Sequence, residues 1–401
     1  MTEKVLSELL PAAKAIEREL IELRRKLHQN PELSLEETET ASTVAILLER
    51  LGLQVRRDVG GHGIVADLIG RRPGPRIALR ADMDALPIQE ETELPFASII
   101  PGKMHACGHD AHTSILYGAA KLLTDRKEQL AGSVRFIFQS AEEINAGAKA
   151  MIDEGVLKGV DEIYGLHNLP TLSTGKAATR YGSLMGSVDQ FELTVSGKGG
   201  HGAIPDQCVD PVLAASAIIL SLQSAVSREV SPFDPVVVTV GSIHGGTSYN
   251  IIPNRVVLSG TVRTFSHNVQ EEMPFRLQRI ISRTAEAYRC TVELQYKKQV
   301  PVLVNHDSHT RNVEEVVDLL LGRENRAEAN PVLAGEDFSM YLQHVPGCFF
   351  WLGSGPEIGA ERAYGLHHPK FTIEEHCLPL GAALLTAISL HRLSKHYETF
   401  A

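Results

Sequence analysis

Aliphatic residues recur at helical spacing over residues 12–28 (Ile16, Leu20, Leu23, Leu27) and again over 37–51 (Val44, Leu47, Leu48, Leu51). A three- and four-residue rhythm of this kind predicts helices with one apolar face, and Gly52 stands where such a helix commonly ends. The rhythm then shortens. Runs at 63–68, 76–80, 134–139 and 163–167 read as strands, and a helical stretch from Asp110 to about Lys127 separates the second from the third. Strands alternating with helices predict an α/β domain: a mixed, largely parallel sheet flanked by helices.

From residue 188 the order changes. A strand over 188–196, a helix over 209–228, strands over 235–243 and 255–263, a helix over 268–289 and a strand over 291–297 make a βαββαβ unit. That is the ferredoxin-like pattern, self-sufficient at about 110 residues. A helix over 308–321, a strand over 347–352 and a helix over 376–393 resume the earlier alternation. The expected organisation is a discontinuous catalytic domain, 1–186 with 298–401, interrupted by an inserted domain, 187–297.

Composition narrows the function classes. The 401 residues are 43% hydrophobic and 22% charged, ordinary for a globular protein and long enough for two cores. A net charge of −10 with no basic block argues against nucleic acid as a partner. No apolar run approaches the roughly 18–20 residues of a membrane span, and the acidic start Thr2-Glu3-Lys4 lacks a signal-peptide layout. Five cysteines without close pairing suit a reducing compartment, so a cytoplasmic protein is expected.

The chemistry falls at strand ends, where open α/β sheets bind ligands. Met104-His105-Ala106-Cys107-Gly108-His109-Asp110-Ala111-His112 gathers a thiol and three imidazoles in a turn. Alone, Cys107 would be a buried thiol and His109 a loop histidine. Together with distant carboxylates and His167 they form a transition-metal donor set. His105 and His112 stay outside it, one read as support for a ligand and the other as a solvated residue at a helix start. Glu142 and Glu143 follow an apolar strand, so they sit at a sheet edge rather than on a solvated helix. Adjacent side chains point different ways, which lets one carboxylate bind metal while the other moves a proton. Asp82 and Asp84 end another strand; Asp84 is taken as the carboxylate that orients a ligand imidazole. His367 or His368, before Pro369, offers a late ligand, and spacing does not choose between them.

Arg80-Ala81-Asp82-Met83-Asp84-Ala85-Leu86-Pro87, His105-Ala106-Cys107-Gly108-His109-Asp110, Glu142-Glu143 and Gly165-Leu166-His167 resemble one family of binuclear metallohydrolases. So do Gly199-Gly200-His201-Gly202, Asn250-Ile251-Ile252-Pro253 and Ala334-Gly335-Glu336-Asp337-Phe338. The family is that of the aminoacylases, hippurate hydrolases, plant auxin-conjugate amidohydrolases and related carboxypeptidases. The resemblance spans essentially the whole chain. It implies that Cys107, His109, Glu143, His167 and His367 bind two divalent ions, with manganese, zinc, cobalt and nickel all compatible with the donors. It also implies Glu142 as general base, Asp84 as the orienter of His109, and the inserted domain as lid and dimerisation domain. There His201 would reach the partner subunit's site and stabilise the oxyanion. Asn250 and Arg263 would grip the substrate carboxylate, with Gly335 lending backbone N–H groups. Two departures from the wider superfamily are Asp82 where a histidine is usual and Cys107 where a bridging carboxylate is usual.

The expected activity is amide hydrolysis of N-acyl-L-amino acids, acting as a homodimer or homotetramer, with no nucleic-acid or membrane partner. A dipeptidase or carboxypeptidase is the alternative on the same site, and a catalytically inactive binding protein is a further one.

Overall fold

In a computed structural model, described for residues 3–356 and 364–400, contacts divide the chain into two compact units. One comprises Met1–Gly182, Val304–Asn330 and Met340–Ala401; the other comprises Ser183–Leu303 and Pro331–Ser339.

The first unit is built on an eight-stranded sheet. Its spatial order is Gln54–Val59, Gly63–Ile69, Ala131–Gln139, Arg72–Asp82, Glu162–Ser173, Gly347–Gly355, Ala177–Thr179 and Arg326–Glu328. The third to sixth of these run parallel, and antiparallel strands lie on both sides of them. Every residue of Ala131–Gln139 is buried, so its apolar side chains lie on both faces of the sheet and its one charged residue, Arg135, is paired with Asp67. Helices Glu17–Gln29, Thr38–Arg50, His109–Thr124 and Cys377–Phe400 supply most of the helical side of the core, around Leu20, Leu48, Leu116 and Leu384. The sheet is mixed and mostly parallel, the class expected from the alternation of elements.

Several boundaries differ from the periodic reading. The apolar rhythm over 12–28 is carried by two helices, Glu3–Ala15 and Glu17–Gln29, parted at Ile16. Leu9, Ala13, Leu20 and Leu27 are all buried in one cluster, so the rhythm continues across a break it cannot register. Gln54–Val59 carries no apolar alternation because it is an edge strand rich in exposed charge, a usual protection against edge-to-edge pairing. One helix also corrects the expectation on membrane-length segments. Cys377–Ser394 is long and apolar enough to cross a bilayer, with a mean hydropathy of 1.3. It is a core helix, 83% of that window being buried within the protein.

The second unit carries a four-stranded antiparallel sheet in the order Val236–Gly245, Arg255–Thr264, Val188–Ser196, Thr291–Val300. Helices Pro211–Ser227 and His267–Ala287 pack on it through Ile218, Leu222, Met273, Leu277 and Ile281 against Phe191, Leu193, Val256 and Leu258. Asp210 caps the first helix by accepting the Val212 and Leu213 N–H groups, and Ser266 caps the second by accepting from Val269. Segment 331–339 joins this unit through Gly186, whose N–H donates to the carbonyls of Val332 and Ala334.

Candidate metal centre

In the first unit two parallel strands run out into donors and a third carries one within its length, since His167 lies mid-strand and does not close its strand as expected. Arg72–Asp82 delivers Asp82 and, two residues on, Asp84; Ala131–Gln139 leads into Glu142 and Glu143; Glu162–Ser173 carries His167. His109 opens helix His109–Thr124 immediately after Gly108, whose φ is 93°. Only glycine fits at 108: a Cβ there would lie 2.0 Å from Asn168 Oδ1.

These side chains form overlapping groups of donor atoms lying within 4.8 Å of one another: Cys107 with His109 and His167, Cys107 with Glu143 and His367, and His109 with Glu142 and Glu143. Cys107 Sγ is 3.4 Å from His167 Nε2. Glu143 Oε1 is 3.7 Å from His109 Nε2, and Glu143 Oε2 is 3.5 Å from His367 Nε2. Zinc-type bond lengths place neighbouring donors roughly 3.3–3.7 Å apart. His109 Nε2 and Glu143 Oε1 are buried without any hydrogen-bond partner, which is costly unless something else binds them. The residues therefore fit a divalent cation. Cys107, His109 and Glu143 each belong to two of these three groups, so the donors form one connected cluster.

Neighbouring groups fix each donor's orientation. His109 Nδ1 lies 3.2 Å from Asp84 Oδ1, which turns Nε2 toward Glu143. Asp84 Oδ2 accepts from Ser34 Oγ at 2.6 Å and from the Glu143 N–H at 2.9 Å. Burial would raise the Asp84 pKa, but the His109 hydrogen bond and these two hold it below the usual carboxylate range. His167 Nδ1–H donates to the Asn168 carbonyl at 2.8 Å, which turns Nε2 to Cys107. Burial, with His112 and His109 adding to it, pushes the His167 imidazole well below its ordinary pKa and keeps it neutral, as a ligand must be. Burial would also lower His109, but Asp82, Asp84 and Glu143 carry it up to about 10. Burial pushes the Glu143 carboxyl up to about 7, with His109 opposing and Asp84 adding to the rise. So much negative charge in a buried place calls for a cation.

The structure separates His367 from His368. His367 sits at φ 64° with its N–H donating to the Ala106 carbonyl and its ring on Glu143. His368 is exposed, accepts the Lys370 N–H and stacks on Tyr364.

The expectation that one of His105 and His112 is solvated requires correction: each is 1% exposed. His112 Nδ1–H donates to Asp82 Oδ1 at 2.6 Å and its Nε2 accepts the Asn168 N–H at 3.0 Å. With its lone pair so used, His112 cannot be a ligand, although it shares a donor group with Asp82 and His109. It braces the middle of the strand bearing His167, 4.5 Å ring to ring. His105 is packed near His28, and burial lowers its pKa to about 4. Sequence reasoning also passed over Ser34, Glu37 and Asn168, because partners so distant along the chain leave no local signature.

The second unit holds the other expected residues. His201, exposed, lies on a two-residue strand paired with Ile251, and its Nδ1 accepts the Ala203 N–H. Asn250 adjoins it, its carbonyl accepting from the Gly202 N–H at 2.8 Å. Arg263, half-buried, donates from Nε to Thr261 Oγ1, and burial lowers its pKa. A Cβ at Gly335 would meet Val188 Cγ2 at 2.1 Å and Arg263 Nη1 at 3.5 Å, so a bare backbone passes beside that guanidinium.

A sheet whose strand ends gather a thiol, imidazoles and paired carboxylates around places for cations defines a metal-dependent hydrolase. The chain belongs to peptidase family M20/M25/M40, whose family model matches residues 78–391. It is 42% identical over 381 residues to an N-acetylcysteine deacetylase of Bacillus subtilis (strain 168), covering 94% of this chain and 98% of that protein. It is 42% identical over 400 residues to the IAA-amino acid hydrolase ILR1-like 2 of Arabidopsis thaliana, covering 98% and 90%. A solved Bacillus subtilis structure, described as a dinuclear metal-binding peptidase of the M20 family, superimposes with a TM-score of 0.84 at 38% identity. That superposition covers 95% of this chain and 99% of the other. This is an enzyme of the amidohydrolase and peptidase class.

Proposed function

We propose that the protein hydrolyses the amide bond of N-acyl-L-amino acids in the cytoplasm, using two divalent ions held by Cys107, His109, Glu143, His167 and His367. The observation that carries the reading is the pair of buried atoms without a hydrogen-bond partner, His109 Nε2 and Glu143 Oε1, with the Glu142 carboxylate in the same donor group. Bound divalent ions polarise the amide carbonyl and acidify water. Glu142, 8% exposed and adjacent to a ligand rather than assigned as one, takes the proton of the attacking water and returns it to the departing nitrogen. Asp84 holds His109 in the tautomer that presents Nε2. Arg263 and Asn250 are assigned to the substrate carboxylate, for which a planar guanidinium is suited, with Gly335 offering backbone N–H beside it. His201 of the partner subunit is assigned to the oxyanion.

The second unit is assigned the lid and dimerisation roles in a homodimer or homotetramer. Helix Pro211–Ser227 supports this, because it is apolar on its outer face as well: Leu213 is 56% and Leu220 77% exposed.

Glu142→Gln should lower kcat by at least about 1,000-fold, since proton transfer and its positioning are lost together, while metal per chain stays at the parent level. The assay is a panel of N-acetyl amino acids, hippurate and dipeptides, before and after chelation and with manganese, cobalt, zinc or nickel restored. Turnover by Glu142→Gln sinks the general-base assignment, and a preference for dipeptides sinks the acyl-amino-acid reading.

A further inference from the structure

The Glu142–Glu143 pair is presented by an unusual turn. Ala141, fully buried, holds φ 55°, and Asn145 holds φ 57°. The Ala141 carbonyl accepts the N–H groups of Ala146 and Gly147, and the Glu142 carbonyl accepts from Asn145. Gly147 closes against the turn so tightly that a Cβ would lie 1.7 Å from the Ser140 carbonyl oxygen. A left-handed alanine persists only where its surroundings hold it.

What holds it comes from 104 residues away along the chain. Glu37 Oε1 accepts the Ala141 N–H at 2.7 Å. Glu37 is the N-cap residue of helix Thr38–Arg50, where a carboxylate ordinarily turns back to cap; its side chain makes no capping bond. It is 0% exposed, an expensive place for a carboxyl group that only packs. The same stretch reaches the centre a second time through Ser34 Oγ on Asp84 Oδ2, the oxygen that also takes the Glu143 N–H. The Ala85 N–H donates to the Glu32 carbonyl and anchors the stretch against the strand end.

From this geometry we infer that Glu37 is a positioning residue for the reaction: its acceptor oxygen fixes the Ala141 turn and thereby the aim of Glu142 and Glu143. The inference rests on the assignment of those two carboxylates in the proposed function. What matters is an acceptor at Oε1, not a charge. Glutamine at 37 supplies that acceptor, aspartate withdraws it by one methylene, and alanine removes it.

The experiment compares Glu37→Ala, Glu37→Asp and Glu37→Gln with the parent, measuring kcat and KM on an N-acetyl amino acid and metal per folded chain. Glu37→Ala and Glu37→Asp should lose about 10- to 100-fold in kcat, the usual scale for groups that orient a metal site, with KM little changed. Glu37→Gln should recover most of the parent kcat. Parent-level kcat in Glu37→Ala overturns the inference, as does a Glu37→Gln as slow as Glu37→Ala. If Glu37→Ala does not fold, the contrast between aspartate and glutamine decides in the same way. Glu142→Gln is assayed alongside. Activity there overturns the base assignment, whereas an inactive Glu142→Gln with a fully active Glu37→Ala overturns this inference alone.

Discussion

Gly108 shows how much of this site depends on a single missing atom. The residue stands between Cys107 and His109 with φ 93°, and its hydrogen faces Asn168, whose N–H in turn holds His112. Alanine there adds a left-handed penalty of about 1–2 kcal/mol and a Cβ 2.0 Å from Asn168 Oδ1. Gly108→Ala should lower the melting temperature and reduce metal per chain together, read by calorimetry and metal analysis; unchanged metal content would contradict the tight packing described. The candidate donor types were legible at this scale because a thiol and imidazoles clustered in one turn are rare without a cation. Their supports were not legible. His112 lies in the same motif, but only the Asn168 N–H, 56 residues away, reveals that its lone pair is already used.

Helix His109–Thr124 begins at the metal centre and is buried almost throughout, so its charged residues must find partners inside. Asp110 Oδ2 receives Arg24 Nε at 2.7 Å and His28 Nδ1 at 2.8 Å, both from helix Glu17–Gln29. Burial pulls the His28 pKa down, but Asp110 outweighs it and holds His28 above its ordinary value, with Arg24 opposing and Glu90 assisting. A raised folded-state pKa means that protonation stabilises the fold. That contribution is complete below about pH 6.5, the unfolded histidine value, and disappears as pH rises through the folded one. His28→Gln should therefore cost about 1.5–3 kcal/mol at pH 6, the worth of charged hydrogen bonds, and visibly less at pH 9, by urea denaturation. An equal loss at both pH values would refute a charged His28. Helix and strand types were readable from periodicity, since buried faces impose it. Breaks such as Ile16 and polar edges such as Gln54–Val59 were not, because neither disturbs the apolar pattern.

For the molecule as a whole, the alternation of elements carried the two-sheet organisation, because a switch from parallel α/β rhythm to βαββαβ order is visible over long windows. The return of 331–339 to the second unit was not, since it depends on the Gly186 N–H and not on composition. The outward leucines of helix Pro211–Ser227 give the proposed assembly a direct test. Leu213→Glu combined with Leu220→Glu should convert the oligomer to monomer in sedimentation while the second unit keeps its fold by circular dichroism. An unaltered sedimentation coefficient would exclude this helix from the interface.

The placement of strand Gly347–Gly355 also dictates a timetable for synthesis. It lies inside the large sheet, between Glu162–Ser173 and Ala177–Thr179, and His367 follows it. A ribosome that has released the chain through Leu303 has delivered most of the second unit, whose strands are contiguous in sequence. The first unit at that moment has an open parallel edge and an incomplete set of donors. Pairing of that edge and completion of the proposed ligand set thus wait for the same late stretch of translation. A polypeptide stalled before it would present an aggregation-prone edge beside a cradle short of one imidazole.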